Sequence, residues 1–174
     1  MASVKQSLGF TLIELLITIA IMAIVMGIAA PSMSRIMANL KLRDIATTTE
    51  LAIKEARTQA FITQRNTQLT FDLDSDDADS EHRLIVALLS PEVVVTEHTL
   101  DKQLVMTNNL VVNTTNNALS FTPKQFMFQG DNASDVILAN TTFSFCLKNR
   151  ESDKYLLTVT PRGKTDITIS GSCS

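Results

Sequence analysis

The 174-residue chain has no tryptophan, one tyrosine, five glycines, four prolines and two cysteines. So little glycine and proline, with no repeat, excludes a collagen-like or linker-like chain. Two cysteines are too few for a disulfide-built miniprotein, and Cys146 and Cys173 stand in no CxxC or other metal-ligand spacing. The only histidines, His82 and His98, are far apart and have no cysteine or further histidine spaced to complete a zinc site. A nucleophile elbow and a glycine-rich phosphate loop are both missing, which argues against an enzyme and calls for no cofactor or metal. Positive charge is not in excess either: a net charge of -3 and a pI near 5.3 argue against a general nucleic-acid binder.

What the chain does have is one long apolar run. From Phe10 to Ala30 only Thr11, Glu14, Thr18 and Gly27 interrupt it. At about 1.5 Å per residue that stretch makes a helix of roughly 30 Å, enough to cross a membrane once. A secretory signal places its small cleavage-site residues after the apolar core, whereas Ser7 and Gly9 precede it. Cutting at Gly9 would leave the helix on the mature protein. Glu14 is then an anomaly, because a carboxylate near the end of a membrane helix costs ~2 to 3 kcal/mol and marks a pairing or a function. If Phe10 becomes the new N-terminus, its α-amino group lies one helical turn from Glu14, close enough to pair within one subunit or between neighbours in a helix bundle.

The stretch Leu8-Gly9-Phe10-Thr11-Leu12-Ile13-Glu14-Leu15-Leu16 resembles the class III leader and methylation motif of type IV prepilins and type II secretion pseudopilins. The resemblance implies that a prepilin peptidase cuts after Gly9, that Phe10 is N-methylated and that Glu14 aligns incoming subunits. It also implies partners among other minor and major pilins or pseudopilins, and residence in an inner membrane. The positive-inside count opposes that orientation, with Lys5 before the anchor and Arg35, Lys41 and Arg43 after it. A leader read by a specific protease overrides that bias, so the C-terminal domain is expected in the periplasm. An even pair of cysteines in an exported chain favours a Cys146–Cys173 disulfide, worth roughly 3 kcal/mol in the chain-entropy model, with two buried thiols as the alternative.

The expected architecture is α+β: a leader at 1–9, a transmembrane helix at 10–30, its amphipathic continuation at 31–65 and an antiparallel β domain at 66–174. Pro31 removes the hydrogen bond to the Gly27 carbonyl and predicts a kink there. Met33, Ile36, Met37 and Leu40, then Leu42, Ile45, Ala52, Ile53, Ala56 and Ala60, recur mostly at spacings of three and four and predict a helix to about Gln64 that covers the domain's own core. Glu50 and Lys54 form an i,i+4 pair on its polar side. From Gln68 the period becomes two, and strands are expected at 68–73, 84–89, 93–97, 103–106, 118–121, 126–129, 142–147, 155–160 and 164–170, in two packed sheets or one bent sheet. Asn-rich stretches at 107–109 and 113–117 read as turns, as do the sequon matches at Asn113, Asn132 and Asn140.

Thr158-Val159-Thr160-Pro161-Arg162-Gly163-Lys164 and the terminal Gly171-Ser172-Cys173 resemble the FimT, FimU and GspH branch of the same family, FimU most. That implies a minor pilin of a type IV pilus, at the filament tip, priming assembly. The alternatives are a GspH-like pseudopilin of type II secretion and a FimT-like DNA-binding minor pilin. The last binds through a motif like Gly-Arg-x-Arg, where this chain reads Gly163-Lys164-Thr165-Asp166, and the acid repels phosphate. Arg162 and Lys164, with Lys148, Arg150 and Lys154 nearby in sequence, leave room only for a weak DNA contact. The acidic run Asp72, Asp74, Asp76, Asp77, Asp79 and Glu81 imitates a calcium loop, but Asp77 replaces its glycine and Arg83 its closing glutamate, so a solvated hairpin turn is expected.

Overall fold

The computed structural model describes residues 10–73, 82–108, 117–124, 127–129, 139–148 and 152–173. Helix α1 (Leu12–Thr63) is 52 residues long, and its helical assignment continues through Pro31. It ends where Gln64 takes a left-handed backbone conformation (φ 54°) and its side-chain amide donates to the Phe61 carbonyl at 2.7 Å. The chain divides into two compact units, Met1–Met37 and Ala38–Ser174. In the first, every described side chain from Phe10 to Met37 is exposed.

The second unit joins the rest of α1 to two antiparallel sheets. One contains β1 (Thr67–Asp72), β2 (His82–Leu88), β3 (Val93–Leu100), β5 (Asn117–Phe121) and β6 (Met127–Gln129) in the order β3-β2-β1-β5-β6. The other contains β4 (Leu104–Asn108), β7 (Thr141–Leu147), β8 (Ser152–Val159) and β9 (Thr165–Cys173) in the order β4-β7-β8-β9. Among the described residues each expected strand occurs, with its ends moved by a few positions, and two sheets form rather than one bent sheet.

The core forms where the apolar sides of helix and sheets meet. Ala38, Leu42, Ile45, Ala46, Ala52, Ile53, Ala56 and Ala60 recur at helical spacing and are buried with Leu69, Phe71, Val86 and Phe121 of the first sheet and Phe143, Phe145 and Leu157 of the second. Phe71 and Phe143 bring the two sheets together, their ring centroids 5.1 Å apart. Five alanines on this stripe let the helix backbone approach closely, and the Thr67 hydroxyl donates directly to the Ala56 carbonyl at 2.6 Å.

The buried stripe differs from the expected one in its first turns. Met33, Ile36, Met37 and Leu40 are about half exposed, while Ala38, Ala46 and the buried Thr49 lie inward. Thr49 is satisfied by donating to the Ile45 carbonyl at 2.8 Å.

Polar contacts secure the helix to both sheets. Asn39 donates to Asp153 Oδ2 at 2.9 Å and accepts from the Asp153 backbone N–H at 2.8 Å, which ties α1 to β8. Lys41 meets Asp101, beyond β3, at 2.7 Å. The Glu50 carboxylate receives Lys54 and the Thr165 hydroxyl of β9, each at 2.7 Å. Thr96 of β3 bonds Glu55. The disulfide Cys146–Cys173, with a sequence separation of 27 and Cα atoms 5.7 Å apart, joins β7 directly to the end of β9.

Candidate functional site

Gly9 lies outside the described residues, and Phe10 is the first residue of the described chain. Thr11 caps α1 and Glu14 occupies the third helical position. Glu14 N–H donates to Thr11 Oγ1, and Glu14 Oε2 accepts from both the Thr11 backbone N–H and its hydroxyl, all at 3.3 Å. This reciprocal arrangement is a capping box, a local role for Glu14 beyond the one its charge suggests, and Thr-x-x-Glu at 11–14 is its sequence signature. Both bonds fall on Oε2, and no other partner of Glu14 occurs among the described residues. Among the described residues, then, Glu14 Oε1 has no partner.

Beyond the cap, Leu12, Ile13, Leu15, Leu16 and Ile17 are each more than half exposed. At 100° steps those five leave the side of Glu14 uncovered, but Ile21, Met22 and Val25, each more than half exposed, fill it further along, so the helix as far as Met26 is apolar on every side rather than amphipathic. Such a helix needs a lipid or protein environment. Among the described residues, no helix is long and apolar enough to cross a membrane.

Of the cations named for a weak DNA contact, Arg162 and Lys164 share one turn, and Lys148 and Lys154 are not brought to them. Arg162 and Lys164 are exposed on the β8–β9 turn, where Thr160 N–H donates to the Lys164 carbonyl at 2.8 Å. Lys148 and Lys154 sit at the other end of sheet β4-β7-β8-β9, some five residues of strand or roughly 17 Å away, and Arg150 lies outside the described residues. Gly163 between the two turn cations has φ +75°, and a Cβ there would come within 3.1 Å of Arg57 Cδ. That glycine serves the packing of the turn against α1.

The histidines, distant in sequence, become neighbours. His82 pairs with Leu100 and His98 with Leu84, so both imidazoles share the face of the buried leucines, diagonally placed on β2 and β3. His82 Nδ1 and His98 Nε2 are buried without a hydrogen-bond partner. Sequence spacing could not reveal this, because strand register decides it. Among the described residues no group of three or more His, Cys, Asp or Glu is placed to hold a metal ion. Of the acidic run, Asp72 is on β1 within 3.5 Å of Arg83, which also meets Glu97 at 3.1 Å; the positions from Asp74 to Glu81 lie outside the described residues, as do the sequons at Asn113 and Asn132.

A surface hollow of about 300 Å³ is lined by Lys41, Asp44, Ile45, Thr48 and Thr99 to Asp101. Its lysine is already engaged with Asp101, and its lining contains no nucleophile beside a base. The Glu50 carboxyl is held below its usual value, first by the Lys54 ammonium and then by the Thr165 hydroxyl. Its role is to join helix to sheet.

Residues 4–30 match the prokaryotic N-terminal methylation motif. No curated protein matches the chain. Among solved structures it is similar to the type IV minor pilin FimU of Pseudomonas aeruginosa in two crystal forms. The first has a TM-score of 0.53 and 15% identity and covers 76% of this chain and 100% of FimU; the second has a TM-score of 0.53 and 15% identity over 76% and 95%. It is also similar to the minor pseudopilin EpsH from the type 2 secretion system of Vibrio cholerae, at TM-score 0.53 and 13% identity over 74% of this chain and 97% of EpsH. At such identities the likeness is one of fold, while the motif speaks for the N-terminus. The chain thus carries a prokaryotic N-terminal methylation motif ahead of a domain with the fold of FimU and EpsH.

Proposed function

We propose that this chain is a minor subunit of a type IV pilus, joining a tip complex that starts filament assembly. The observation that carries this reading is the methylation motif at residues 4–30 on a chain whose remaining domain folds like FimU. In this reading a prepilin peptidase cuts after Gly9, Phe10 is N-methylated, and residues 10–30 anchor the subunit once across the inner membrane with the β domain in the periplasm. Glu14 keeps its cap through Oε2 and offers Oε1 to the α-amino group of a neighbour's Phe10 as helices bundle away from lipid.

The test is twofold. Intact mass of membrane-extracted protein is expected to lack residues 1 to 9 and to carry one methyl group; an uncut N-terminus overturns the reading. Glu14→Gln separates the two roles of the carboxyl, because glutamine still closes a capping box but carries no charge. It is expected to abolish piliation while leaving the membrane helix intact by circular dichroism. Normal piliation with Glu14→Gln would reduce Glu14 to a cap.

A second reading, a minor pseudopilin of type II secretion, is supported by the equal TM-score of EpsH. A deletion strain decides between them: loss of twitching with secretion retained supports the pilus, and the opposite pair of phenotypes supports the pseudopilus.

A further inference from the structure

Two imidazoles, each with a buried nitrogen that nothing satisfies, meet on neighbouring strands. His82 opens β2 opposite Leu100, and His98 on β3 stands opposite Leu84, so the two rings form a diagonal pair on the core side of the sheet, flanked by buried leucines. Both side chains are partly buried. Among the described residues no hydrogen bond or ion pair reaches either ring: His82 Nδ1 and His98 Nε2 are closed off from solvent without a partner, and they do not bond each other. Native folds keep few buried polar atoms in that state, and a bound ion is one of the explanations such atoms call for.

A neutral imidazole has one N–H and one lone pair. The second nitrogen of each ring, His82 Nε2 and His98 Nδ1, is not closed off in this way. A proton on that nitrogen meets water and leaves two lone pairs inside. The nearby cations of the chain do not answer them. Arg83, the next residue after His82, lies on the opposite face of the strand with Asp72 and Glu97, and Lys41 of α1 is held by Asp101 at 2.7 Å. We propose that His82 Nδ1 and His98 Nε2 are the two protein ligands of a divalent transition-metal ion, Cu2+, Ni2+ or Zn2+. Imidazole nitrogen suits these ions, whereas Mg2+ and Ca2+ ask for oxygen. A diagonal pair has its Cα atoms roughly 7–8 Å apart and its Cβ atoms closer. Two rings can close on one ion across that span with metal–nitrogen bonds of about 2.0–2.1 Å, one through the nitrogen nearer its Cβ and the other through the farther one. The remaining coordination positions go to water, so the ion exchanges readily, and while bound it fastens edge strand β3 to β2.

This inference is independent of the filament reading. Its test uses the untagged full chain in detergent micelles, treated with a chelator and then titrated with CuCl2, NiCl2 or ZnCl2 alone. One ion per chain is expected, with micromolar affinity tightest for Cu2+, and no response to MgCl2. His82→Phe and His98→Phe keep a ring in place without its nitrogens, and each is expected to weaken binding at least about tenfold. The paramagnetic resonance spectrum of the Cu2+-loaded, unsubstituted chain is expected to show two imidazole nitrogens, a readout that needs no variant to fold. Binding that survives both substitutions, a spectrum with one imidazole nitrogen or none, or no binding at millimolar ion overturns the site.

Discussion

Residues Leu12–Met37 and Ala38–Thr63 belong to one helix, yet the first half exposes its described side chains on every side and the second buries a stripe at spacings of three and four. The difference lies in what each half contributes to a surface. Leucine, isoleucine and methionine dominate the first half, which is made for an apolar surrounding. Alanines dominate the buried stripe of the second, where close approach to two sheets matters more than the size of each side chain. The buried contacts of the described residues therefore lie in the second half.

The sharpest way to break this contrast is a pair of equivalent truncations. Ile53→Ala, at a fully buried site, is expected to lower the unfolding free energy of the second unit by about 4 kcal/mol, whereas Ile21→Ala changes it by no more than about 0.5 kcal/mol. Denaturant unfolding in detergent, followed by the β-sheet circular dichroism signal, reads both; equal effects would abolish the distinction. Next in size, replacing Cys146 and Cys173 together by serine is expected to lower stability by about 3.5 kcal/mol, from a cross-link spanning 27 residues. A smaller pair uses glycine. Gly163→Ala in the second unit meets Arg57 at a positive φ and is expected to cost about 1 to 2 kcal/mol, while Gly27→Ala in the first has open space and raises helix stability by about 0.5 to 1 kcal/mol.

The smallest effect depends on pH. The folded Glu50 carboxyl titrates below the ordinary carboxylate range, so its contribution is present above that range and is lost as pH falls through the lower folded value. Glu50→Gln is expected to lower stability by about 1 kcal/mol or less at pH 7. Denaturation midpoints of the two proteins should converge at acid pH; a constant gap would show that charge is not what Glu50 contributes.

Much of the secondary structure was legible because the hydrophobic period changes sharply near Gln68, from helical to alternating. The positions of the helix stripe were less so: Met33, Ile36, Met37 and Leu40 recur at core-like spacing but remain half exposed, and alanines carry too weak a signal to mark the true contact line. Sheet membership was not legible at all. β4 follows β3 after three residues but pairs with β7 in the other sheet, and alternation along a strand says which face is buried, not against which neighbour. The approach of His82 to His98 was hidden for the same reason.

By itself the sequence determined the apolar N-terminal helix with its methylation motif, the strands of the described residues and the cysteines available for cross-linking, because each follows from local composition and period. Only the tertiary structure decided which helical face is core, how the nine described strands divide between two sheets, and that Cys146 on β7 meets Cys173 on β9. Those outcomes depend on pairing between residues far apart in the chain, where register and packing, rather than local preference, set the free energy.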